Sequence, residues 1–192
     1  MIYEQAELAR RLDVKTEDLV MAAPDCIEKN RILSALAEYP DSSCRSCRPG
    51  HLTGSALIVH PTNRSILLLY HAKLKRWLQP GGHADGDHDL TRVALREATE
   101  ETGIDGLRIV EPAIDVDVHF VDSLNEDSHE HYDVRFLVLA PTNAIPVGNH
   151  ESEDLRWISS DDLFSFITTP NFFRLVERGL SQFERLKKRG EI

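Results

Sequence analysis

GHADGDHDLTRVALREATEETGI, residues 82–104, joins a glycine-containing loop to a strongly helical segment. Residues 90–102 are predicted to form the helix, and Gly103 follows at the position where a left-handed glycine commonly ends one. Glu97, Glu100 and Glu101 have i, i+3 and i+4 spacing, so their carboxylates share one face of this helix. The opposite face is apolar and is predicted to pack on a sheet through Val93, Ala94, Ala98 and Ile104.

The three glutamates of this helix suggest a binding site for a divalent cation. Carboxylates three or four residues apart repel each other and destabilise a helix by about 0.2–0.5 kcal/mol per pair. Mg²⁺ or Mn²⁺ coordinated by their oxygens would offset this repulsion, because hard cations prefer oxygen ligands. A solvated acidic face without a metal ion is the alternative that the spacing leaves open.

Strand-like segments flank the helix along the chain. The predicted strands cover residues 56–60, 66–71, 114–121, 132–139 and 153–158, and the turn between the first two predicts a hairpin. Residues 122–130 are polar and are predicted to form a loop. A short helix is predicted to begin near residue 160, and a longer one to span residues 171–188. Strands interspersed with two packed helices predict an α/β or α+β sandwich.

The first fifty residues are interpreted as a helical appendage. Residues 4–12 are rich in strong helix formers, residues 16–19 resemble a capped helix start, and residues 27–39 carry apolar residues near helical spacing. The predicted organisation is therefore an appendage over residues 1–50 and a principal domain over residues 51–192. The appendage packs on that domain or forms a homodimer contact, and both arrangements stay open.

Composition limits the partners that the protein is expected to have. The chain has 192 residues with a formal net charge of −10, which argues against nucleic acid polymers as partners. No apolar run reaches the roughly 18–20 residues of a membrane span, and the N-terminus lacks the apolar core of a signal peptide. We therefore expect a cytoplasmic protein with no membrane partner.

The three cysteines are too few for a disulfide framework. Cys44 and Cys47 form a C-x-x-C pair, for which Cys26 and His51 are the nearest further zinc ligands. Reduced thiols without a metal ion are the alternative interpretation.

Residues 82–104 resemble the Nudix box of MutT-like hydrolases, Gly-x5-Glu-x7-Arg-Glu-U-x-Glu-Glu-x-Gly-U, in which U is a bulky aliphatic residue. The positions in register are Gly82, Arg96, Glu97, Glu100, Glu101, Gly103 and Ile104. The flanking strands extend the resemblance to about residues 53–180. The resemblance implies a Nudix-type mixed-sheet α/β/α sandwich, to which the helical appendage is added.

Two positions depart from the box. His88 replaces its first glutamate, to which the resemblance gives a supporting role near the metal ions, and the small Ala98 stands at a bulky aliphatic position. His88 itself or a neighbouring aspartate is a substitute for the missing carboxylate, and the number of bound metal ions stays open. The neighbouring aspartates are Asp85, Asp87 and Asp89.

The resemblance implies a metal-dependent hydrolase that cleaves a pyrophosphate bond in a nucleoside diphosphate linked to another moiety. It implies Mg²⁺ or Mn²⁺ as the cofactor, bound by Glu97, Glu100, Glu101 and the Gly82 carbonyl. Similar enzymes take the general base from the box helix or from a later loop, so the candidates are Glu97, Glu151 and Glu153. Arg96 is expected to orient a box glutamate.

Several residues outside the glutamate helix are candidates for substrate contact. His83 follows the two glycines, Trp77 is a candidate to stack on a base, and Lys73 and Arg76 are candidates for distal phosphates. The alternatives are a polar loop position for His83, a core position for Trp77 and a solvated hairpin end for Lys73 and Arg76. A further cluster combines His129 and His131, which alternate along a strand, with His119. It is interpreted as a second metal site, a substrate contact or a solvated edge.

Two other functions stay open. The substitution at His88 keeps open a Nudix-like regulatory module that binds a nucleotide without cleaving it. An isoprenoid diphosphate isomerase has the same fold, but its cysteine and tryptophan motifs are not evident. Among nucleotide substrates, nucleoside triphosphates, nucleotide sugars and ADP-ribose all stay open.

Overall fold

A seven-stranded mixed β-sheet is the centre of the computed structural model, which describes residues 15–123 and 126–192. Its strands are β1 (Gly50–Val59), β2 (Ile66–His71), β3 (Trp77–Leu78), β4 (Gly81–His83), β5 (Arg108–Ser123), β6 (Glu126–Leu139) and β7 (Ser152–Ile158). The strand order is β3-β2-β1-β6-β5, with β4 paired to β1 and β7 paired to β2. β1 and β6 run parallel, and the other pairs are antiparallel.

The described residues form four helices and one short 3₁₀ turn. They are α1 (residues 15–22), α2 (Ile27–Glu38), α3 (Leu90–Thr102), the 3₁₀ turn (Leu163–Ser165) and α4 (Pro170–Arg189). α3 begins where the Asp89 carboxylate accepts a hydrogen bond from the Arg92 N–H, and it ends at Gly103 with φ 61°. The predicted helix and its glycine cap are confirmed. None of the helices in these ranges is long and apolar enough to cross a lipid bilayer.

α3 and α4 cover opposite faces of the sheet. Successive side chains of β1 alternate between its two faces. Leu57 is buried in one cluster with Phe183 of α4, whereas Ala56 is buried in another with Ala98 of α3. The predicted α/β/α sandwich is therefore confirmed.

The N-terminal helices pack on the same sheet face as α3. Val20 of α1 and Ile32 of α2 are fully buried in one cluster with Val93 and Phe136. The predicted helix at residues 4–12 lies outside the described residues. The division at residue 50 and the homodimer stay predictions.

The predicted loop at residues 122–130 is wrong, because β5 and β6 continue as a long antiparallel ladder. Val121 pairs with His129, and Ser123 pairs with Glu126. Polar composition suggested a loop, but cross-strand hydrogen bonds satisfy an extended backbone whatever the side chains are. The continued ladder brings His129 and His131 into the sheet opposite His51 of β1.

A buried charged cluster joins the sheet to α4. Arg135 of β6 is 5% exposed and donates hydrogen bonds to Asp133 at 2.7 Å and Asp117 at 2.8 Å. Asp115 accepts a hydrogen bond from Arg174 of α4 at 3.0 Å and also pairs with Arg178. The alternation of Asp115 and Asp117 with apolar residues predicted a half-buried strand. It did not predict that α4 covers these aspartates.

Candidate active site

The glutamates of α3 meet the backbone of β4 at one edge of the sheet. Glu101 is 5% exposed, and its Oε2 accepts a hydrogen bond from the Gly81 N–H at 2.9 Å. Glu97 is half-buried and Glu100 is exposed. This arrangement places one carboxylate inside the protein and two progressively closer to solvent, on a rigid helix that fixes their relative positions.

Gly82 lets the β4 backbone approach Glu97 closely. A β-carbon added at Gly82 would lie 2.5 Å from Cδ and Oε2 of Glu97, closer than atoms of real side chains come. Any other residue at this position would therefore displace the Glu97 carboxylate. This close approach is a physical reason for the glycine at the first position of the box.

Arg96 holds Glu97 in place. Its Nη2 donates to Glu97 Oε1 at 2.7 Å and to the His83 carbonyl at 3.1 Å. The guanidinium thereby links the helix to β4, and the neighbouring carboxylates raise its own pKa further. Arg96 therefore contacts the glutamate of the box that it is expected to orient, and its orienting role stays a prediction.

The electrostatics of Glu101 favour a bound cation. The pKa of Glu101 is raised to about 8, mainly by burial and also by the charges of Glu97, Glu151 and Glu100, against the opposing Gly81 hydrogen bond. A cation nearby would stabilise the charged form that burial disfavours. The oxygens of these carboxylates and of the nearby Gly82 backbone fit a hard divalent ion such as Mg²⁺ or Mn²⁺.

The elevated pKa of Glu101 predicts a pH-dependent stability for the metal-free protein. Because the folded-state pKa of about 8 exceeds the ordinary 4.5, the stabilising contribution is complete below the ordinary value and is lost as pH rises through about 8. Glu101→Gln abolishes this titration but keeps an acceptor for the Gly81 N–H. With chelator present, the variant's Tm should exceed that of the wild type increasingly from about pH 5 to about pH 9. A difference in Tm that stays constant with pH would contradict this assignment.

Of the two loop glutamates, Glu151 has the closer electrostatic link to the α3 carboxylates. Its charge contributes to the raised pKa of Glu101, and the Asn149 side chain ties its loop to the Glu100 carbonyl at 3.1 Å. Glu153 instead forms an exposed ion pair with Lys75, at the turn between β2 and β3.

The predicted substrate-contact residues lie in different surroundings. His83, on β4, stands next to Gly82 and lies 5.0 Å from the His51 ring. Trp77 is half-buried against Phe166, and Arg156 lies 5.2 Å above its ring, so its environment is largely that of a packed side chain. Lys73 and Arg76 are exposed in and beside the turn between β2 and β3.

The aspartates around His88 are engaged in ion pairs. Asp85 pairs with Arg45 at 2.5 Å, Asp87 with Arg92 at 2.5 Å and Asp89 with Lys15 at 2.5 Å. His88 itself contacts the Ser43 hydroxyl at 3.4 Å. These contacts tie the loop before α3 to the N-terminal segment and to α3 rather than to the glutamates.

Sequence reasoning paired His51 with the cysteines, but the structure groups it differently. One ring nitrogen of each of His51, His129 and His131 lies within 4.8 Å of the others, and this group contains no cysteine. The Cys47 thiol is buried, which raises its pKa to about 11 and disfavours the thiolate that binds zinc. The strand pairing of β1 with β6 is the signal that sequence reasoning lacked.

The chain belongs to the NUDIX family: the NUDIX domain matches it over residues 51–178. The protein has a mixed sheet and a carboxylate-bearing helix, and it is a Nudix pyrophosphohydrolase in the general sense of this family. Enzymes of this family generally use divalent metal ions. No curated protein matches the chain.

Solved structures share the fold at low sequence identity. An Ap4A hydrolase from C. elegans, in a binary complex, has a TM-score of 0.58 at 20% identity, over 70% of this chain and 97% of that one. The dihydroneopterin triphosphate pyrophosphohydrolase of E. coli has a TM-score of 0.58 at 16% identity, over 68% and 94%. The NUDIX domain of Shewanella oneidensis NrtR, complexed with ADP ribose, has a TM-score of 0.54 at 17% identity, over 78% and 96%. At such identities the likeness shows the fold alone.

Proposed function

We propose that the protein hydrolyses a phosphoanhydride bond in a nucleoside diphosphate linked to another moiety, with Mg²⁺ or Mn²⁺ as the cofactor. The observation that carries the proposal is the convergence of Glu97, Glu101 and the Gly82 backbone at the edge of β4. Glu100 adds a carboxylate on the solvent side of the same helical face. A carboxylate set of this kind suits charge neutralisation on a diphosphate.

In the proposed reaction, the cation would be held by Glu97, Glu100, Glu101 and the Gly82 carbonyl. When bound, the cation neutralises phosphate oxygens and lowers the pKa of water. Arg96 keeps Glu97 in position through its hydrogen bond to Oε1. Glu151 accepts the proton of the attacking water, the new bond forms at phosphorus, and the bridging P–O bond breaks to release a phosphate monoester.

Glu151 is the preferred general base among the three carboxylates that the sequence offered. Glu153 is paired with Lys75, and Arg96 donates to one oxygen of Glu97. Glu151 lies on a loop tied to the end of α3, and its charge reaches Glu101. His83 follows Gly82 in β4 and is the preferred substrate contact. Lys73 and Arg76 are exposed enough to meet a distal phosphate, and Trp77 remains a candidate at the edge of its packed site.

A substrate panel tests the proposal. Purified protein is incubated with ADP-ribose, nucleotide sugars, dinucleoside polyphosphates and nucleoside triphosphates, with Mg²⁺ and Mn²⁺ separately, and the products are resolved by chromatography. We expect metal-dependent cleavage of a member in which a nucleoside diphosphate carries another moiety. Tight binding of one member without turnover would instead support a nucleotide-binding regulatory module.

Gly82→Ala is expected to weaken the binding of the metal ion that this reaction requires. The added β-carbon must displace the Glu97 carboxylate, and shifts around metal ligands typically cost about 10-fold to 100-fold in metal affinity or activity. Gly86→Ala is the loop control, because its β-carbon would meet nothing within 4 Å although its φ of 87° strains an alanine. The Mg²⁺ concentration for half-maximal rate should rise for Gly82→Ala and stay unchanged for Gly86→Ala. Equal values for Gly82→Ala and the wild type would remove Gly82 from the metal site.

The physiological setting belongs to the same proposal. A cytoplasmic location, a small nucleotide-like substrate and no nucleic acid polymer as partner are part of it, and the formal net charge of −10 supports the last of these.

A further inference from the structure

Five histidines from four strands gather on one face of the sheet. The register pairs His51 of β1 with His131 of β6, and His131 with His119 of β5. His129 lies two residues before His131 and so points to the same face. His83 of β4 completes the group, with its ring 4.9 Å from that of His131. Four strands contribute imidazoles to one place, although their sequence positions are far apart.

Three of these rings have the geometry of metal ligands. One nitrogen of each of His51, His129 and His131 lies within 4.8 Å of the others. Nε2 of His129 and Nε2 of His131 are 3.2 Å apart. Two nitrogens bound to one tetrahedral Zn²⁺ at about 2.0–2.1 Å are separated by about 3.3 Å. The Nε2 atoms of His129 and His131 already have about this separation, and a ring nitrogen of His51 lies within 4.8 Å of the other two ligand atoms.

His51 provides independent evidence that this cluster binds a metal ion. The residue is 2% exposed, and among the described residues neither Nδ1 nor Nε2 has a hydrogen-bond partner. Leaving a buried polar group without a hydrogen-bond partner destabilises the folded protein, so proteins rarely retain one without a reason. A metal ion would satisfy the unprotonated ring nitrogen directly.

Burial disfavours the charged form of His51 and His131 by lowering their pKa, so the neutral imidazole that binds metal is favoured at these two residues. The pKa of His51 is lowered to about 4, mainly by burial and also by the charges of His83 and His129. His119 is held by Asp117, with Nδ1 3.2 Å from Oδ2, and its ring lies 5.3 Å from that of His131. The Asp117 contact thus fixes the orientation of a fourth imidazole beside the three proposed ligands.

We infer that His51, His129 and His131 form a second metal site, which takes a transition metal ion such as Zn²⁺. Three imidazoles suit Zn²⁺ rather than Mg²⁺, and three protein ligands leave a fourth coordination position for water or another ligand. The group of ligand atoms includes none of the α3 carboxylates, although His83 and Gly82 are consecutive residues of β4. It does not depend on the proposed hydrolysis.

Metal retention tests the inference. The full chain is stripped with chelator, incubated with Zn²⁺ in Mg²⁺-containing buffer and desalted, and bound zinc is measured by mass spectrometry. We expect about one equivalent in the wild type, and loss of at least 10-fold in affinity for His129→Ala and His131→Ala. His150→Ala, at an exposed position, is the matched control and should retain zinc. Glu101→Gln should also retain it, which separates this site from the catalytic one.

A second measurement keeps the test decisive if a variant fails to fold. In the ¹⁵N-labelled wild type, Zn²⁺ should shift the ring-nitrogen resonances of the three proposed ligands and leave those of His150 unchanged. A wild type that retains no zinc would overturn the inference. Zinc lost from Cys44→Ser but kept by His131→Ala would also overturn it and assign the metal to the C-x-x-C pair.

Discussion

Glu101→Gln is expected to lower the kcat of phosphoanhydride hydrolysis by at least about 100-fold, and Glu97→Gln by a similar factor. Glutamine is nearly isosteric and preserves the hydrogen bond from the Gly81 N–H, so the fold should persist. What disappears is the negative charge that we propose to hold the cation. Because Glu101 is buried, no water can take over its role cheaply.

Steady-state kinetics at saturating Mg²⁺ measure this effect. Glu177→Gln is the matched control, since it removes an exposed carboxylate from α4 and should leave kcat within about twofold of the wild type. Circular dichroism checks that the variants are folded. A Glu101→Gln protein that keeps more than about half the wild-type kcat would remove Glu101 from the metal site.

Arg135→Met is expected to lower the free energy of unfolding by about 3–5 kcal/mol. The variant keeps similar side-chain volume but leaves Asp117 and Asp133 without the guanidinium that neutralises them. Burial raises the pKa of Asp117, but the hydrogen bond with His119 and the charge of Arg135 outweigh it and hold the pKa at about 2. Without Arg135, Asp117 retains the longer ion pair with Arg174 at 3.4 Å, but the buried cluster has more carboxylates than guanidinium groups, which favours protonation or entry of water.

Urea denaturation at neutral pH measures this loss. Arg185→Met changes an exposed arginine of α4 that contacts only Gln182 among the hydrogen bonds described, and it should cost less than about 1 kcal/mol. A loss for Arg135→Met no larger than that of the control would mean that the cluster is solvated rather than a buried charged network.

Local signals were sufficient to predict α3. Its glutamate spacing, its apolar face and the glycine at its end are all contained in residues 82–104, and the structure confirms the helix from Leu90 to Thr102. The strand at residues 66–71 and the terminal helix were likewise predicted to within a residue or two. Each of these elements carries its own hydrophobic period and its own end signals.

Non-local pairing determines what the sequence could not predict. The segment at residues 122–130 is polar, so its strand character comes from the β5–β6 ladder rather than from its own residues. His51 and His131 are eighty positions apart, and only the parallel register of β1 and β6 makes them neighbours. Asp115 and Asp117 alternate as solvent-facing residues would, but α4 covers them with Arg174 and Arg178.

In the candidate site, too, some residues were predicted from local sequence, whereas one choice depended on non-local contacts. Glu97, Glu100, Glu101 and Gly82 were identified from spacing and resemblance alone. The distinction between Glu151 and Glu153 required the structure, because it depends on a Lys75 ion pair and on a loop contact with the end of α3.

The most direct measurement is the cleavage rate of one nucleoside diphosphate-linked substrate, for wild type and Glu101→Gln, as Mg²⁺ is raised from zero in chelator-treated protein. The account predicts a wild-type rate that starts near zero, rises and saturates with Mg²⁺, and a variant rate at least about 100-fold lower throughout. Cleavage that proceeds equally well without a divalent ion, or that Glu101→Gln leaves unchanged, would contradict it.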